Sequence, residues 1–319
     1  MPMMTMRQYL GEADLTPLAD MLNACTEADG AGEWTSADDL RRQFNEPGVD
    51  PERDMLLVED GDHALAGFGE LWLRPPARTI DGRLWFKVHP RARGGDVELR
   101  LIDWAEERMR ELGREHGVPA VIGSRPRMAE SGRIAALEQR GFAVARYYLR
   151  MEHPLDGPVP EARLPEGFTM RPLAGEDEVP AWIEAFNQAF ADHYDHHDVT
   201  VEQRRYWMSY PDYCPEYDLV AVAPDGTIAA VCWCAILEEE SRRSGRREGW
   251  VHILGTRPQY RKMGLGRAML LAGLRVLQDA GAVKAGLHVD GGSPTGAGRL
   301  YTRAGFRTAQ TLVHYRKEL

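Results

Sequence analysis

A glycine-bearing turn around residue 264 carries the groups best suited to chemistry. The turn follows an apolar run at 250–254 and precedes a helical pattern at 267–277. Gly264 and Gly266 leave the backbone bare, and the N–H groups of a first helical turn are unpaired and attract anions. We therefore expect a cradle for a pyrophosphate group, made by seven consecutive residues: Arg261, Lys262, Met263, Gly264, Leu265, Gly266 and Arg267.

Two common phosphate-binding motifs do not fit this turn. No Gly-Lys-Ser/Thr follows, as a Walker loop requires, and the G-x-G-x-x-G pattern of dinucleotide-binding proteins is absent. A glycine-rich turn between a strand and a helix is also often only a tight connection. The choice between a cradle and a plain connection depends on the elements around the turn.

Those elements come in an informative order. Upstream, two strand patterns flank a hairpin signal at 224–227. Downstream, a strand pattern at 286–290 precedes a breaker-rich segment and a short helix pattern at 297–304. In this order the segments resemble the GNAT superfamily of N-acetyltransferases. The matching motifs are Pro258-x-x-Arg261-x-x-Gly264-x-Gly266, Leu287-x-Val289 and Leu300-Tyr301-x-x-x-Gly305-Phe306.

The resemblance covers roughly residues 167–319 and is greatest to the tandem-domain acetyltransferases that include mycothiol synthase. It implies an α+β domain with a mixed, mostly antiparallel sheet flanked by helices. It also implies acetyl-CoA as co-substrate and direct transfer of the acetyl group, in a ternary complex, to a primary amine. The acceptor stays open among a small amine, an aminoglycoside-like compound, a thiol-sugar precursor and a protein N-terminus.

The resemblance also implies roles for individual residues. Backbone N–H groups of Leu254, Gly255 and Thr256 would bind the thioester oxygen as it gains charge. Tyr301 would protonate the leaving thiolate, because a phenol with a pKa of about 10 stays protonated at neutral pH. Ser293 stands where many members carry Asn, and it keeps a hydrogen-bonding group for the pantetheine arm.

The base that deprotonates the acceptor is less clear from the sequence. Alternation along the strand places Glu248, Trp250, His252 and Leu254 on one face. Mycothiol synthase-like proteins present a glutamate at the position of Trp250. His252 is our first candidate, since an imidazole has a pKa of about 6.5, and Glu248, acting through water, is the second. A lone histidine on a strand is, however, more often a packing residue.

A segment rich in His and Asp at 192–198 follows the first helical pattern of this half. In the resembling family this region walls the acceptor pocket, so its acids would attract a cationic amine. His193, His196 and His197 are too clustered for a typical metal site, and we expect no metal. A solvated loop is the simpler interpretation of most of these residues.

The N-terminal half repeats the same plan. Pro90 and Pro258 are 168 residues apart, and the Gly-Phe pairs ending at Phe142 and Phe306 are 164 apart, which indicates an internal duplication. In this alignment Arg93 matches Arg261, but Asp96 and Glu98 replace Gly264 and Gly266. Leu137 replaces Tyr301. Two carboxylates would repel a phosphate, although both copies could still bind cofactor in different ways.

We therefore expect a degenerate GNAT-like domain at 1–153, a proline-rich linker at 154–165 and an acetyl-CoA-binding catalytic domain at 166–319. An irregular, exposed hairpin loop is expected at 238–247. The alternative function is a non-catalytic acyl-CoA-binding or sensing module, and a longer acyl chain is also open.

Composition limits the remaining classes. The net charge of −10 over 319 residues argues against nucleic acid as a partner. No run of 18 apolar residues predicts a membrane span, and the first residues lack the apolar block of a signal peptide. The four cysteines are sparse, so we expect them reduced and the protein cytoplasmic. Whether the chain forms a homodimer stays open.

Overall fold

The computed structural model describes residues 4–32, 34–74, 78–194 and 196–319. The chain divides into two compact units. One is formed by Met1–Tyr147 together with Thr311–Leu319, and the other by Tyr148–Gln310. The end of the chain therefore belongs to the first unit.

The first unit alternates helices and strands around one sheet. Its elements before the second unit begins are β1 (Thr5–Gln8), α1 (Glu12–Asp29), α2 (Ala37–Phe44), α3 (Pro51–Asp54), β2 (Met55–Glu59), β3 (Leu65–Leu73), β4 (Ile80–Val88), α4 (Val97–His116), β5 (Ala120–Ser124) and α5 (Ser131–Gln139).

The second unit repeats this alternation. The remaining elements of the chain are β6 (Ala143–Pro154), β7 (Thr169–Pro172), α6 (Val179–Phe190), α7 (Val201–Met208), β8 (Asp218–Val222), β9 (Ile228–Ile236), α8 (Glu238–Ser244), β10 (Glu248–Thr256), α9 (Leu265–Asp279), β11 (Lys284–Asp290), α10 (Ala297–Arg303) and β12 (Arg307–Glu318).

The two sheets share one pairing scheme. The first has the order β1-β2-β3-β4-β5-β12 and the second the order β7-β8-β9-β10-β11-β6. In each, only one neighbouring pair of strands is parallel, β4 with β5 and β10 with β11, and the other pairs are antiparallel. The mixed, mostly antiparallel α+β fold expected from the sequence is confirmed.

Strand alternation gives the second sheet two apolar faces, each covered by helices. One face packs against α9 and α10 in a core that includes Met269, Cys232 and Tyr301. The other packs against α6 around the fully buried Trp182. Cys232 and Cys234 are buried and unbridged, with their sulfurs 3.8 Å apart, as the sequence predicted.

One strand departs from simple alternation. The pairing of β10 with β9 shifts by one residue between Val251 and Ile253, so His252 is the extra residue of a β-bulge. Leu254 consequently packs against the α9-side core, whereas Ile253 lies in the α6-side core. The expectation that Leu254 shares a face with His252 was wrong, because a bulge breaks the period of two.

A second departure concerns the segment before β10. Residues 238–247 do connect two antiparallel strands, but they begin with the helix α8 instead of an irregular loop. Arg243 donates to Glu239 one helical turn earlier at 2.7 Å, and such pairs favour helix. The mixture of acids and bases in this segment signals a helix.

The domain boundaries expected from the sequence, 1–153 and 166–319 around a linker at 154–165, stay a prediction, because compact packing and domain ancestry are different properties. The linker itself is irregular and is held against the long helix α9. The amide of Gln278 donates to the carbonyl of Leu155 at 2.9 Å.

Candidate functional site

The strands β10 and β11 separate along their length. They pair only at Glu248 with Lys284, Gly249 with Ala285 and Trp250 with Gly286. Beyond Trp250, β10 continues to pair with β9, past the bulge at His252, and β11 continues to pair with β6. The second sheet therefore opens between these two strands, toward the turn that the sequence singled out.

Backbone N–H groups line one arm of this opening. The N–H of Arg257 donates to Ala229 of the neighbouring strand at 2.9 Å. By strand alternation the N–H of Gly255 points the same way, while those of Leu254 and Thr256 point into the opening. Of the three oxyanion donors expected from the resemblance, two thus have the required direction.

Gly255 has a different task. A Cβ at this position would lie 2.8 Å from the Phe190 ring and 3.0 Å from the Cβ of Ala189. Glycine here lets α6 approach the end of β10.

The turn from β10 to α9 has the geometry of an anion cradle. Gly264 occupies the N-cap position with φ of 93°, and no side chain caps the helix. Lys262 is also left-handed, with φ of 64°. Because the Gly264 carbonyl accepts from the N–H of Ala268, the three preceding N–H groups at the helix start stay available for a phosphate.

Arg261 braces this turn. Its Nε donates to the Thr256 carbonyl at 3.2 Å and another guanidinium nitrogen donates to the Ala189 carbonyl at 2.9 Å. Its third bond is an ion pair with Asp192 at 2.6 Å. The sequence suggested a charge beside the phosphate, but in this arrangement the guanidinium ties the cradle to the end of α6.

Tyr301 reaches the same region from α10. Its side chain is 7% exposed and packs 5.8 Å from the Phe306 ring. Burial raises the pKa of the phenol above its ordinary value, so it holds its proton at neutral pH. A Cβ on Gly266 would lie 3.6 Å from the neighbouring Leu300 side chain and 3.6 Å from Thr256 Oγ1. The helix start, the end of β10 and α10 therefore converge.

Ser293 lies in the turn between β11 and α10. Its N–H donates to the Asp290 carbonyl at 3.1 Å, and its hydroxyl is 2.9 Å from that of Thr295. The hydroxyl thus closes a local turn and stays near the surface.

The two candidate bases lie at different places. His252 is exposed on the α6 side, with its ring centroid 5.2 Å from Trp233 and 6.4 Å from Trp250. Although water reaches part of the side chain, desolvation by its dense surroundings lowers the pKa of His252 to about 4. The imidazole is therefore neutral at pH 7 but weakly basic.

Glu248 is the first residue of β10, at the end of the strand away from the cradle. Four residues of strand separate it from His252, which is about 13 Å. Its carboxylate pairs with Lys284 at 3.1 Å beside a pocket of about 560 Å³. The structure does not bring Glu248 together with the cradle and Tyr301.

The segment at 192–198 lies after α6, and Asp195 falls outside the described residues. Asp192 is bound to Arg261, and His196 Nε2 is 3.0 Å from Asp198. Within the ranges that the structure describes, no three His, Cys, Asp or Glu side chains are grouped to hold a metal ion.

The corresponding turn of the first unit is built differently. Asp96 is the N-cap of α4, as Gly264 is of α9, but its carboxylate pairs with Arg100 at 2.7 Å instead of capping the helix. Glu98, in the place of Gly266, is 6% exposed, so its side chain fills the space that glycine leaves open in the second unit.

A charged cluster that the sequence did not reveal occupies the first unit's opening. Lys87 stands where Gly255 stands in the second unit, since each precedes the residue whose carbonyl accepts from the turn arginine. Its ammonium lies 2.8 Å from Glu130 and 3.7 Å from Asp29. Arg127 joins the same two acids. The cluster is drawn from three segments of the chain, and only a residue-by-residue comparison of Lys87 with Gly255 could have signalled it.

A splayed parallel strand pair, an uncapped helix start with glycines and a buried tyrosine on the adjoining helix are the features expected of an acyl-CoA-dependent transferase site. The chain belongs to the GNAT family of acetyltransferases. The model of the acetyltransferase (GNAT) family matches residues 179–306. No helix within the described residues is long and apolar enough to cross a bilayer.

Curated relatives make the class more definite. The chain is 31% identical to a mycothiol acetyltransferase of Thermobispora bispora over 98% of this chain and 100% of the relative. It is 32% identical to a mycothiol acetyltransferase of Streptomyces coelicolor over 82% of this chain and 90% of the relative. The protein is thus an acetyl-transferring enzyme.

Solved structures agree. A GCN5-related N-acetyltransferase from Sphaerobacter thermophilus has a TM-score of 0.76 at 28% identity and covers 99% of this chain and 95% of its own. A tandem GNAT protein from the clavulanic acid biosynthesis pathway, at 15% identity, shares the fold with a TM-score of 0.70 and coverage of 99% and 98%. The tandem arrangement expected from the sequence is confirmed.

Proposed function

We propose that the second unit transfers the acetyl group of acetyl-CoA to a primary amine, by direct attack in a ternary complex, and that the first unit does not bind the co-substrate. The difference between the two openings carries this proposal. In the second unit the opening has bare glycines and N–H groups directed into it, whereas Lys87 and Glu98 occupy the equivalent places in the first.

The cradle would hold the pyrophosphate through the N–H groups at the start of α9. Lys262 and Arg267 are exposed beside it and supply positive charge. Met263, 48% exposed, offers an apolar surface at the same turn. Ser293, in the turn before α10, would meet the pantetheine arm.

The chemistry assigns one task to each group. The amine nitrogen bonds to the acetyl carbon while the carbon–sulfur bond breaks. The N–H groups of Leu254 and Thr256 stabilise the charge that develops on the carbonyl oxygen. Tyr301 gives its proton to the leaving sulfur, and its burial keeps that proton in place until the thiolate forms.

The acceptor would approach from the face opposite Tyr301, where His252 and the loop after α6 lie. The mycothiol acetyltransferases among the relatives favour a thiol-sugar amine as acceptor. The three acids described at 192–202, Asp192, Asp198 and Glu202, are compatible with a cationic amine.

The test combines binding and kinetics. Calorimetric titration with acetyl-CoA should give one site per chain, lost in Gly264→Asp. With a mycothiol-precursor amine, initial rates should give intersecting double-reciprocal lines. Parallel lines, which indicate a covalent acetyl-enzyme, or two binding sites per chain would contradict the proposal.

A further inference from the structure

Two histidines lie on the two strands that border the opening of the second sheet, each near the ring of Trp250. His252 on β10 and His288 on β11 each lie two residues beyond the last paired residues, Trp250 and Gly286. The register places His288 on the same face as Trp250, because Gly286 pairs with Trp250 and alternate residues share a face. Both histidine side chains are exposed.

Trp250 forms the floor between them. Its ring centroid is 5.2 Å from that of His288 and 6.4 Å from that of His252. Gly286 makes room for this indole, since a Cβ there would lie 3.2 Å from it. The floor lies on the α6 face, whereas Tyr301 belongs to the core on the α9 face. An acid and a base on opposite faces suit a reaction in which the amine enters on one side and the thiolate leaves on the other.

The first unit provides an internal comparison. Gly82 and Gly249 correspond, as each faces the long helix, where a Cβ would meet Met109 or Leu277. The next residue in each strand is Arg83 or Trp250. Arg83 pairs with Gly123 and Trp250 pairs with Gly286, so Gly123 and Gly286 also correspond.

Two residues past these glycines lie Arg125 in the first unit and His288 in the second. Arginine cannot accept a proton near neutral pH. His252 has no counterpart, because β3 and β4 pair without a bulge. The first unit therefore has no histidine at either of these two positions, and its nearest imidazole, that of His314 on β12, has its Nδ1 3.4 Å from the Nε of Arg125.

The two histidines differ in their surroundings. His252 is flanked by two indoles, and the crowding makes it a weak base. The ring centroid of His288 lies 5.2 Å from that of Trp250. Arg150, paired with it on β6, and Asp290 on its own strand are the charged groups nearest in register.

Resting on the proposed function, we propose that His288 is the catalytic base that removes a proton from the acceptor's ammonium group. One ring nitrogen takes the proton, and the neutral amine then attacks the acetyl carbon. The carbon–sulfur bond breaks, and the thiolate takes the proton of Tyr301. The attacking nitrogen loses its second proton to water as the amide forms, Tyr301 recovers a proton from that water, and the imidazolium of His288 releases its proton to solvent. His252 and Trp250 line the acceptor site without accepting the proton.

The experiment compares two acceptors at pH 7 in wild type and in His288→Gln, measuring release of the CoA thiol. Ethanolamine is mostly protonated at this pH, so its acetylation needs a base, whereas hydroxylamine is mostly neutral. We expect His288→Gln to lower the rate with ethanolamine by about 100-fold and the rate with hydroxylamine by less than about fivefold. Added imidazole should restore part of the ethanolamine rate.

His252→Gln and the remote, exposed His116→Gln are matched controls and should keep the ratio of the two rates. Equal loss with both acceptors in His288→Gln would show a structural role and overturn the assignment. A selective loss in His252→Gln instead would give the role to that residue. No transfer by wild type to either amine would overturn the proposed function together with this assignment, while calorimetry would still report co-substrate binding separately.

Discussion

Arg93 and Arg261 share two equivalent contacts in the two units. Each donates its Nε to the carbonyl of the last residue of the preceding strand, Val88 at 3.1 Å and Thr256 at 3.2 Å. Each also pairs with an aspartate at or just after the end of the unit's first long helix, at 2.7 Å and 2.6 Å. The brace thus survives in the unit whose opening is blocked, which means that it serves the fold of the turn first.

Replacing Arg261 with Lys tests what the brace contributes to binding. Lysine keeps the charge but loses the fork that holds two carbonyls and a carboxylate. We expect the dissociation constant of acetyl-CoA to rise by about tenfold, or about 1.4 kcal/mol, measured by calorimetry. Arg93→Lys is the matched control and should leave this constant unchanged. A similar rise in both variants would mean that the effect is a general loss of stability.

Gly264→Asp should abolish acetyl-CoA binding. The φ of 93° strains a residue with a side chain, and the carboxylate repels the phosphate. Gly264→Asn separates these causes, because Asn tolerates a left-handed conformation and carries no charge. We expect Asn to weaken binding by less than about tenfold. Equal loss in the two variants would assign the whole effect to strain.

Restoring glycines in the first unit should not create a second site. In the double variant Asp96→Gly, Glu98→Gly, the cluster around Lys87 still fills the opening. Calorimetry should therefore keep a stoichiometry of one acetyl-CoA per chain. Two sites per chain would show that the carboxylates alone block the first unit.

Tyr301→Phe should lower kcat by about 100-fold while the KM for acetyl-CoA stays within about twofold, because the phenol acts only as the thiolate forms. Tyr315→Phe, which loses a 2.7 Å bond to Glu138 in the first unit, is the control. It should change thermal stability and leave kcat unaltered. An unchanged kcat in Tyr301→Phe would remove the phenol from the mechanism.

Glu70 makes the stability of the first unit depend on pH. It is 1% exposed in β3, and burial raises its pKa from 4.5 to about 7. A hydrogen bond donated by Gln43 opposes this rise without cancelling it. The folded state therefore keeps a proton that the unfolded chain loses above pH 4.5, so stability falls as pH rises to about 7. We expect the change in the free energy of unfolding caused by Glu70→Gln to be about 2 kcal/mol more stabilising at pH 8 than at pH 5. Urea unfolding at the two pH values measures it. The same effect at both pH values would contradict an ionising Glu70.

The sequence predicts the architecture well because its signals are local. Glycine turns such as that before α9, apolar runs and the Gly-Phe pairs each report on a few neighbouring residues. Their repetition at nearly constant spacing revealed the duplication without knowledge of any contact. The order of the strand, turn and helix patterns then indicated the fold of the second half.

The details of the site were harder to predict because they depend on pairing between segments. The bulge at His252 shifts the pairing of β10 with β9 by one residue. The apolar pattern of a single strand cannot reveal such a shift. Arg261 looked like a phosphate contact because its partners, Ala189 and Asp192, come from a distant segment. The ion pair between Lys87 and Glu130 could not be predicted for the same reason.

The position of β12 has a consequence for synthesis. The strand β5 of the first unit borders β12, whose paired residues, Tyr315–Glu318 by the register with β5, are nearly the last of the chain. A ribosome would release these residues only after the whole second unit has emerged. The half that is made first therefore keeps an unpaired strand edge at β5 until β12 has been synthesised.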